Sequence, residues 1–331
     1  MPALPDPLPP PADAALRVEY RQAPLDALLA DPRLLAVTGF GADAPATHAD
    51  PRYLRVALPV HGAAPFECWF VDGDVRHGRD DGIAWSEGGG LRFGALEVGD
   101  EGDAETAGER AYARLQAWLA RDPGHAHPLR IWNYLDAITE GEGDDERYRR
   151  FCVGRARGIG RTLAPGELPA ATAIGHPART GRFQLYWLAA SAPGTPLENP
   201  RQVQAWRYPR QYGPTAPTFA RGMRTDPSQL LISGTAAVVG HASLHHDDLD
   251  AQVGETLANL DSLLAQASMR PPRLGAGSLL KAYLRDVADA EAVATTLRAR
   301  FPTLDGLVLL GGDICRSELL VEIDGVHHQA G

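Results

Sequence analysis

Apolar and polar residues alternate over several short stretches at the start of the chain, and clusters of Gly, Pro and Asp separate these stretches. Alternation with a period of two is typical of β-strands. The pattern predicts strands at Leu16–Tyr20, Leu35–Phe40, Tyr53–Val60 and Glu67–Val71. It predicts no helix of useful length among them. Residues 15–80 are therefore predicted to form a reduced, β-rich N-terminal domain, preceded by a proline-rich arm at residues 1–14.

From residue 81 onward the pattern changes, and one order of elements occurs twice: a strand pair, a helix, a strand, a second helix and two further strands. In the first copy Asp103 precedes a helical period of apolar residues, and in the second copy Val253, Leu257 and Leu260 mark a helix. The second copy also shows extended segments at Val203–Tyr208 and Leu230–Val239 and a helix that Asp289 is predicted to cap.

The repeat predicts a central domain at residues 81–198 and a C-terminal domain at residues 199–331. Each is an α+β layer in which one sheet carries two helices on one face. The strands carry apolar residues on both sides, so the free faces of the sheets are predicted to pack around a shared centre. The seams between such sheets are natural places for pockets.

The last predicted strand, Leu319–Val326, places a carboxylate where burial is expected. Leu319, Val321 and Ile323 share one face, whereas Glu322 lies on the other. A buried carboxylate is costly unless it is paired or protonated. We interpret Glu322 as a buried proton-donating acid; a salt-bridged or solvent-facing strand glutamate is the alternative that the pattern leaves open.

Composition narrows the classes of function. Lys plus Arg number 32 against 42 for Asp plus Glu, a formal charge of −10, which argues against nucleic-acid or anionic-membrane partners. Three scattered cysteines do not form a disulfide framework. The chain begins with six prolines in its first eleven residues and has no signal-peptide pattern or membrane-spanning apolar run, so we expect a cytoplasmic protein.

The clearest candidate binding segment is Tyr208-Pro209-Arg210-Gln211-Tyr212-Gly213-Pro214, followed by Arg221. Arginine grips carboxylates through two parallel hydrogen bonds, so arginines beside phenols suggest a small polyanionic, ring-shaped ligand. Arg155 and Arg161, near the end of a predicted helix, are further candidates if they face the seam. A rigid linker with a structural ion pair, and cations that favour a helix C-terminus, remain the alternatives.

Three other groups of residues are candidates for binding or catalysis. Ser233-Gly234-Thr235 and the small residues up to Gly240 and His241 would let a ligand approach the backbone closely, or would form only a tight turn. His241, His245 and His246 with the acidic residues after them match no defined metal spacing, so no metal is expected. Cys315 has no evident base nearby and suits a small buried group.

These motifs carry a resemblance. The C-terminal domain resembles the RidA/YjgF fold. Tyr208 to Pro214, Phe219-Ala220-Arg221, Ser233-Gly234-Thr235 with Gly240-His241, and Cys315 through Glu322 together resemble the chorismatase family more specifically, over about the last 200 residues. The resemblance implies tandem RidA/YjgF-like (chorismate mutase-like) α+β domains in a pseudo-threefold barrel within one chain. It also implies a monomer, because the seams are filled internally.

The resemblance further implies an enzyme that acts on chorismate without metal or organic cofactor and releases pyruvate, with its site between the central and C-terminal domains. It places the proton-donating glutamate at Glu322 and a substrate pocket at Tyr208, Arg210, Tyr212 and Arg221. Cys315 corresponds to a cysteine of the hydroxybenzoate-forming members.

Protonation of the terminal methylene by Glu322 would give an oxocarbenium ion. We then expect 3-hydroxybenzoate, with 4-hydroxybenzoate or the dihydroxycyclohexadiene carboxylate as other possible products. Arg316-Ser317 is similar to a pair used by RidA-type imine deaminases but sits directly before the last strand. Such a deaminase, or a small-molecule-binding protein without catalysis, remains an alternative.

Overall fold

The computed structural model of the chain describes residues 16–100, 102–270 and 272–329. The predicted proline-rich arm at residues 1–14 lies outside the described residues. Three large sheets make up the framework, and none of the helices in the described ranges is long and apolar enough to cross a membrane.

The first sheet has four strands in the order β1-β4-β2-β3. Its strands are β1 (Arg17–Arg21), β2 (Leu34–Phe40), β3 (Tyr53–Val56) and β4 (Phe66–Phe70). A short helix, α1 (Leu25–Leu29), covers one face and buries Leu25, Leu28 and Leu29. The alternating pattern did not predict this helix, because a single turn and a half is too short to show a helical period.

The second sheet follows directly. Its strands are β5 (Arg76–Asp80), β6 (Ile83–Gly88), β7 (Leu91–Gly99), β8 (His127–Asp136), β9 (Ala170–His176) and β10 (Arg182–Ala190). Helices α2 (Ala104–Arg121) and α3 (Arg147–Ile159) pack on one face. Asp103 caps α2 as predicted, since its side chain accepts a hydrogen bond from the Glu105 amide.

The third sheet and the elements around it complete the chain. The strands are β11 (Thr195–Leu197), β12 (Gly222–Asp226), β13 (Gln229–Ala236), β14 (Val238–Val239), β15 (Ala242–Ser243), β16 (Ser278–Leu284), β17 (Gly306–Gly311), β18 (Asp313–Ile314) and β19 (Val321–His328). Helices α4 (Leu249–Gln266) and α5 (Ala290–Arg300) cover one face. The side chain of Asp289 makes no capping hydrogen bond; Asp286 caps the preceding 3-10 turn instead.

Strand order shows the internal repeat. The second sheet runs β9-β8-β10-β7-β6-β5, and the third runs β17-β16-β19-β13-β12-β11. In both, the first two strands of that order are parallel to each other, and the remaining four are each antiparallel to the strand before them. The first sheet repeats the same arrangement in its four strands, so the chain contains three related layers.

The three layers are linked edge to edge. Val60, which follows β3 of the first sheet, forms a bridge with Leu310 at the edge of the third sheet, and β18 adds to the β9 edge of the second sheet. The ring of His176, the last residue of β9, lies 3.0 Å from the carbonyl oxygen of Ala57 and forms a hydrogen bond with it. Inner faces meet around an aromatic centre in which the Trp132 and Tyr186 rings are stacked 4.7 Å apart. This arrangement confirms the predicted tandem α+β fold.

Two predicted segments of the C-terminal domain differ from the structure. Val203–Tyr208 is not extended: residues 205–207 form a 3-10 turn. Leu230–Val239 is interrupted after Ala236, and the pairing of β13 with β19 shifts between Ile232 and Thr235. A β-bulge of this kind redirects the strand. By sheet membership, we propose domain boundaries near residues 71–75 and 191–194.

Candidate active site

A cavity of about 310 Å³ lies at the seam between the second and third sheets. Strands β9, β13 and β19 form its floor, helix α3 forms one wall, and the segments at residues 208–221 and 315–319 form the rest. The seam between the central and C-terminal layers therefore contains a pocket large enough for a ring-shaped ligand.

Glu322 points from β19 into this cavity. The residue is 5% exposed, and its side chain makes no hydrogen bond or ion pair with any residue in the described ranges. Burial raises the pKa of Glu322 to about 8; the neighbouring Asp324 adds to the rise, while Arg130 and Arg221 oppose it. At neutral pH the group is therefore mostly a neutral acid that can donate a proton.

Gly234 makes room for that acid. It sits in the bulge of β13, and a Cβ atom placed on it would lie 1.9 Å from Oε1 of Glu322. No side chain can occupy that position unless the carboxyl group moves. The bulge and the glycine together leave the space that the Glu322 carboxyl group occupies.

A second carboxylate, Asp324, lies two residues further along the same strand and is completely buried. Its Oδ2 accepts hydrogen bonds from Arg130 Nη2 (3.0 Å), Trp132 Nε1 (3.1 Å), Thr172 Oγ1 (2.8 Å) and Tyr283 OH (3.2 Å). Arg130 is thereby paired with Asp324 and not with Glu322.

Two buried arginines face the cavity without a carboxylate partner among the described residues. Arg221 is 5% exposed, and its Nη2 donates to the Val203 carbonyl (2.9 Å) and to Tyr208 OH (2.7 Å). Arg155 is 4% exposed and donates to the Thr218 carbonyl at 2.5 Å. The Nε atom of each is buried without a protein partner, so each guanidinium keeps a donor that no neighbouring group satisfies.

Two further arginines line the cavity that the sequence analysis did not assign to it. Arg316 donates from Nη1 to the His241 carbonyl (2.8 Å), and its guanidinium lies 4.1 Å from the centre of the Tyr212 ring. Arg149 pairs with Glu146 at 3.3 Å. Arg316 was visible in the sequence as part of Arg316-Ser317; Arg149 gave no signal beyond being one of several arginines on its helix.

Cys315 and Tyr148 form a neutral part of the wall. Burial raises the pKa of the Cys315 thiol, and the nearby Glu322 raises it further. Burial likewise raises the pKa of Tyr148 well above its usual value. Cys315 therefore stays a thiol, which suits a shaping role rather than a nucleophilic one.

The structure brings together Glu322, Cys315, Tyr208, Tyr212, Arg221 and Arg155. It places the other candidates outside the lining of the cavity. Arg210 is directed outward and makes two hydrogen bonds to Asp144, at 2.8 and 2.5 Å. Arg161 is exposed and pairs with Glu167 at 2.9 Å.

Ser233, Gly240 and His241 support the site from behind. Ser233 Oγ donates to the Ala220 carbonyl at 2.6 Å, and Gly240 adopts a positive φ of 59° beside the backbone of Arg201. The His241 ring contacts Tyr212, whose hydroxyl lies 3.2 Å from Nδ1. Each of these residues holds the backbone or a ring that borders the cavity.

A group of metal-type side chains occurs elsewhere, at Glu87, Asp122 and His125. Arg92 lies between the two carboxylates, 3.3 Å from Glu87 and 3.2 Å from Asp122. The Arg92 guanidinium already neutralises the two carboxylates that a metal ion would need as ligands, so this group does not have the character of a metal site.

Comparisons with known proteins show which proteins the chain is similar to. A family model described as "Chorismatase FkbO/Hyg5-like, N-terminal" matches residues 67–189. A "3-hydroxybenzoate synthase" of Streptomyces hygroscopicus is 36% identical over 291 residues, which cover 82% of this chain and 84% of that protein. A "Chorismatase" of Streptomyces rapamycinicus is 35% identical over 274 residues, 78% of this chain and 81% of the other.

A chorismatase crystal structure superimposes with a TM-score of 0.81 at 31% identity. The match covers 96% of this chain and 99% of that one. The likeness therefore extends over all three layers.

Proposed function

The chain belongs to the chorismatase family, and from that premise we propose that it converts chorismate to pyruvate and 3-hydroxybenzoate with Glu322 as the general acid. The observation that carries the proposal is the buried, unpaired Glu322 carboxyl group, which faces a cavity that also holds arginines without carboxylate partners. A proton donor and an anion-binding wall are the two features that this substrate requires.

Substrate binding follows from charge. Chorismate carries two carboxylates, and Arg155 and Arg221 offer buried donors on the cavity wall. Arginine–carboxylate pairs are strong and directional, so two such pairs fix the orientation of the ring and its enolpyruvyl arm. Arg316, stacked on the tyrosine rings, supplies a third cation at the rim.

The chemical step begins with proton transfer. Glu322 donates its proton to the terminal methylene carbon of the enol ether, which leaves a carboxylate on the enzyme and an oxocarbenium ion on the substrate. The new carboxylate lies close to the cation and stabilises it electrostatically. A glutamate with an ordinary pKa of about 4.3 would be almost entirely ionised at pH 7 and could not begin this sequence.

The fate of the cation sets the ring product. Capture by water releases pyruvate and leaves the dihydrodiol. If the 4-hydroxyl side of the ring takes part instead, no water is added, and pyruvate plus hydroxybenzoate account for all the atoms of chorismate. We propose that Cys315, a neutral and partly buried thiol beside Glu322, excludes water and favours the second route.

The test is to incubate the purified protein with chorismate while pyruvate and the ring products are followed together. We expect equimolar pyruvate and 3-hydroxybenzoate. Recovery of intact chorismate would overturn the proposal, and ammonia release from 2-aminoacrylate in its place would indicate an imine deaminase. The dihydrodiol as main product would leave the acid step in place and refute the role of Cys315.

A further inference from the structure

We propose that the seam between the first and second sheets is a second ligand site, which binds a small organic carboxylate without converting it. A cleft of about 630 Å³ opens at this seam, which we call the second seam. It is larger than the cavity that contains Glu322 at the seam between the second and third sheets, which we call the first seam. Strands β3, β7 and β10 line it, together with residues 46–48 and 57–58. Nothing in the proposed reaction uses this cleft, so the inference goes beyond the proposed function.

The register of the strands shows that the cleft is the counterpart of the catalytic cavity. In the third sheet Glu322 lies opposite Tyr283, whose parallel partner is Leu310. In the second sheet Gln184 lies opposite Tyr134, whose parallel partner is Ile174.

Leu310 and Ile174 also correspond, because each pairs at the sheet edge with a residue from another layer. Gln184 therefore occupies, in the second seam, the place that Glu322 occupies in the first. A neutral amide has no acidic proton to give, so this seam can hold a ligand but lacks the acid that would act on it.

The charges in the cleft favour an anion. Arg55 and Arg79 line it, and neither has a carboxylate partner among the residues described. Their best contacts are long ones, to the carbonyls of Ala44 (3.5 Å) and His48 (3.3 Å). Contacts of this length are weak hydrogen bonds, so both guanidinium groups can turn toward a ligand.

The other charged groups of the cleft are already used. Arg182 pairs with Glu97 at 2.7 Å. The His176 ring contacts the Ala57 carbonyl at Nε2 and accepts from the Ala178 amide at Nδ1, so both of its nitrogens are engaged. The two arginines thus carry a net positive charge into the cleft of a chain whose overall charge is −10.

Apolar side chains define the remainder of the ligand. The apolar wall of the cleft includes Ala57, Ala84 and Ala95. Ala84 and Ala95 lie opposite each other in the neighbouring strands β6 and β7. A ligand that satisfies both surfaces has one carboxylate and an apolar body, as a benzoate does. Inorganic phosphate could use the arginines but not the wall.

The architecture does not require every seam to be open. At the third seam, between the first and third sheets, Tyr20 lies so close to Gly306 that a Cβ atom there would be 2.3 Å from its ring. Tyr20 OH also donates to the Leu280 carbonyl at 3.1 Å, and Lys281 pairs with Glu67 at 2.8 Å. Side chains close this seam, whereas the second seam is left open and positively charged.

The experiment uses 4-bromobenzoate as the probe. Crystals of the full chain are soaked with it and bromine is located by anomalous scattering, while calorimetric titrations measure binding to the wild type and to two double variants. Arg55→Gln/Arg79→Gln removes the cations of the cleft. Arg76→Gln/Arg298→Gln removes two exposed arginines elsewhere and controls for net charge.

We expect a bromine peak in the cleft, and a Kd that rises at least tenfold in Arg55→Gln/Arg79→Gln but less than twofold in the control. A bromine peak at the first seam only, equal affinities in both double variants, or displacement of the probe by phosphate at equal concentration would each overturn the assignment. The readout is binding at the second seam, so the outcome is independent of whether chorismate is converted at the first.

Discussion

Replacing Glu322 with Gln tests the central chemical idea, because it keeps the shape of the side chain and removes its acidic proton. With a pKa of about 8, Glu322 is protonated in about nine molecules of ten at pH 7. At the ordinary value of 4.5, the protonated fraction would be about 0.3%, so the buried seam increases the working form of the acid roughly 300-fold.

General acid catalysis contributes about 10²–10⁴-fold to a rate. We therefore expect kcat of Glu322→Gln to fall by at least about 10²-fold, with KM changed by less than about threefold because the arginines are untouched. Steady-state pyruvate release measures both constants. Glu318→Gln is the matched control: Glu318 lines the same cavity but has a lowered pKa, since hydrogen bonds and Arg316 outweigh its burial, and it holds no proton to donate.

The pH profile gives an independent check. The active form is the protonated one, so kcat/KM of the wild type should fall about tenfold per pH unit above about pH 8. The raised pKa also means that stability is lost as pH rises from 4.5 through about 8. Glu322→Gln should thus gain thermal stability over the wild type at pH 9 but not at pH 4. A kcat loss below tenfold, or a profile without this limb, would refute the acid role.

Four further outcomes are expected. Gly234→Ala should lower kcat by at least tenfold, because the added methyl group overlaps the carboxyl oxygen of Glu322 at 1.9 Å; a crystal structure with an unmoved carboxyl group would contradict this. Cys315→Ala should shift the ring products toward the dihydrodiol by admitting water, and an unchanged product ratio on chromatography would remove Cys315 from that role. Arg221→Gln should raise KM about 10–100-fold, the value of one charge-assisted pair, and a change confined to kcat would argue against carboxylate binding. Light scattering should give a monomer of 35.5 kDa, since the seams lie within one chain, and a stable trimer would contradict this.

The sequence was most informative where a clear strand pattern contained a residue whose burial costs free energy, as at Glu322. A strand period of two was enough to place Glu322 on the face opposite Val321 and Ile323, and the structure shows those two residues packed against helices α4 and α5. The bulge at Ser233–Gly234 was not predictable, because Leu230–Val239 carries apolar residues on both faces of the strand, so a period of two gives no sign of a shift in register. Only the packed carboxyl group shows why a glycine stands there.

The arginines show a different limit. Arg210 and Arg316 both lie near the tyrosines, but residues 210–212 form a 3-10 turn that directs Arg210 to Asp144, 66 positions away in the chain. Helix α3 ends at Ile159, and Gly160 takes a left-handed conformation, so Arg161 leaves the face that carries Arg155 into the cavity. Partners that are distant in the chain, and the points at which helices end, decide which arginines face the cavity. The local spacing of residues predicts neither of these features.

A neutral acid among so many cations needs an explanation, because an adjacent guanidinium lowers the pKa of a carboxyl group. In the structure Asp324 engages Arg130 through a fully buried 3.0 Å contact. Glu67 does the same for Lys281. The remaining arginines stand on the cavity wall, and we propose that the two carboxylates of the substrate neutralise them on binding. In this proposal the substrate removes the charges that would ionise Glu322, and the acid keeps its proton until the methylene carbon is in place to receive it.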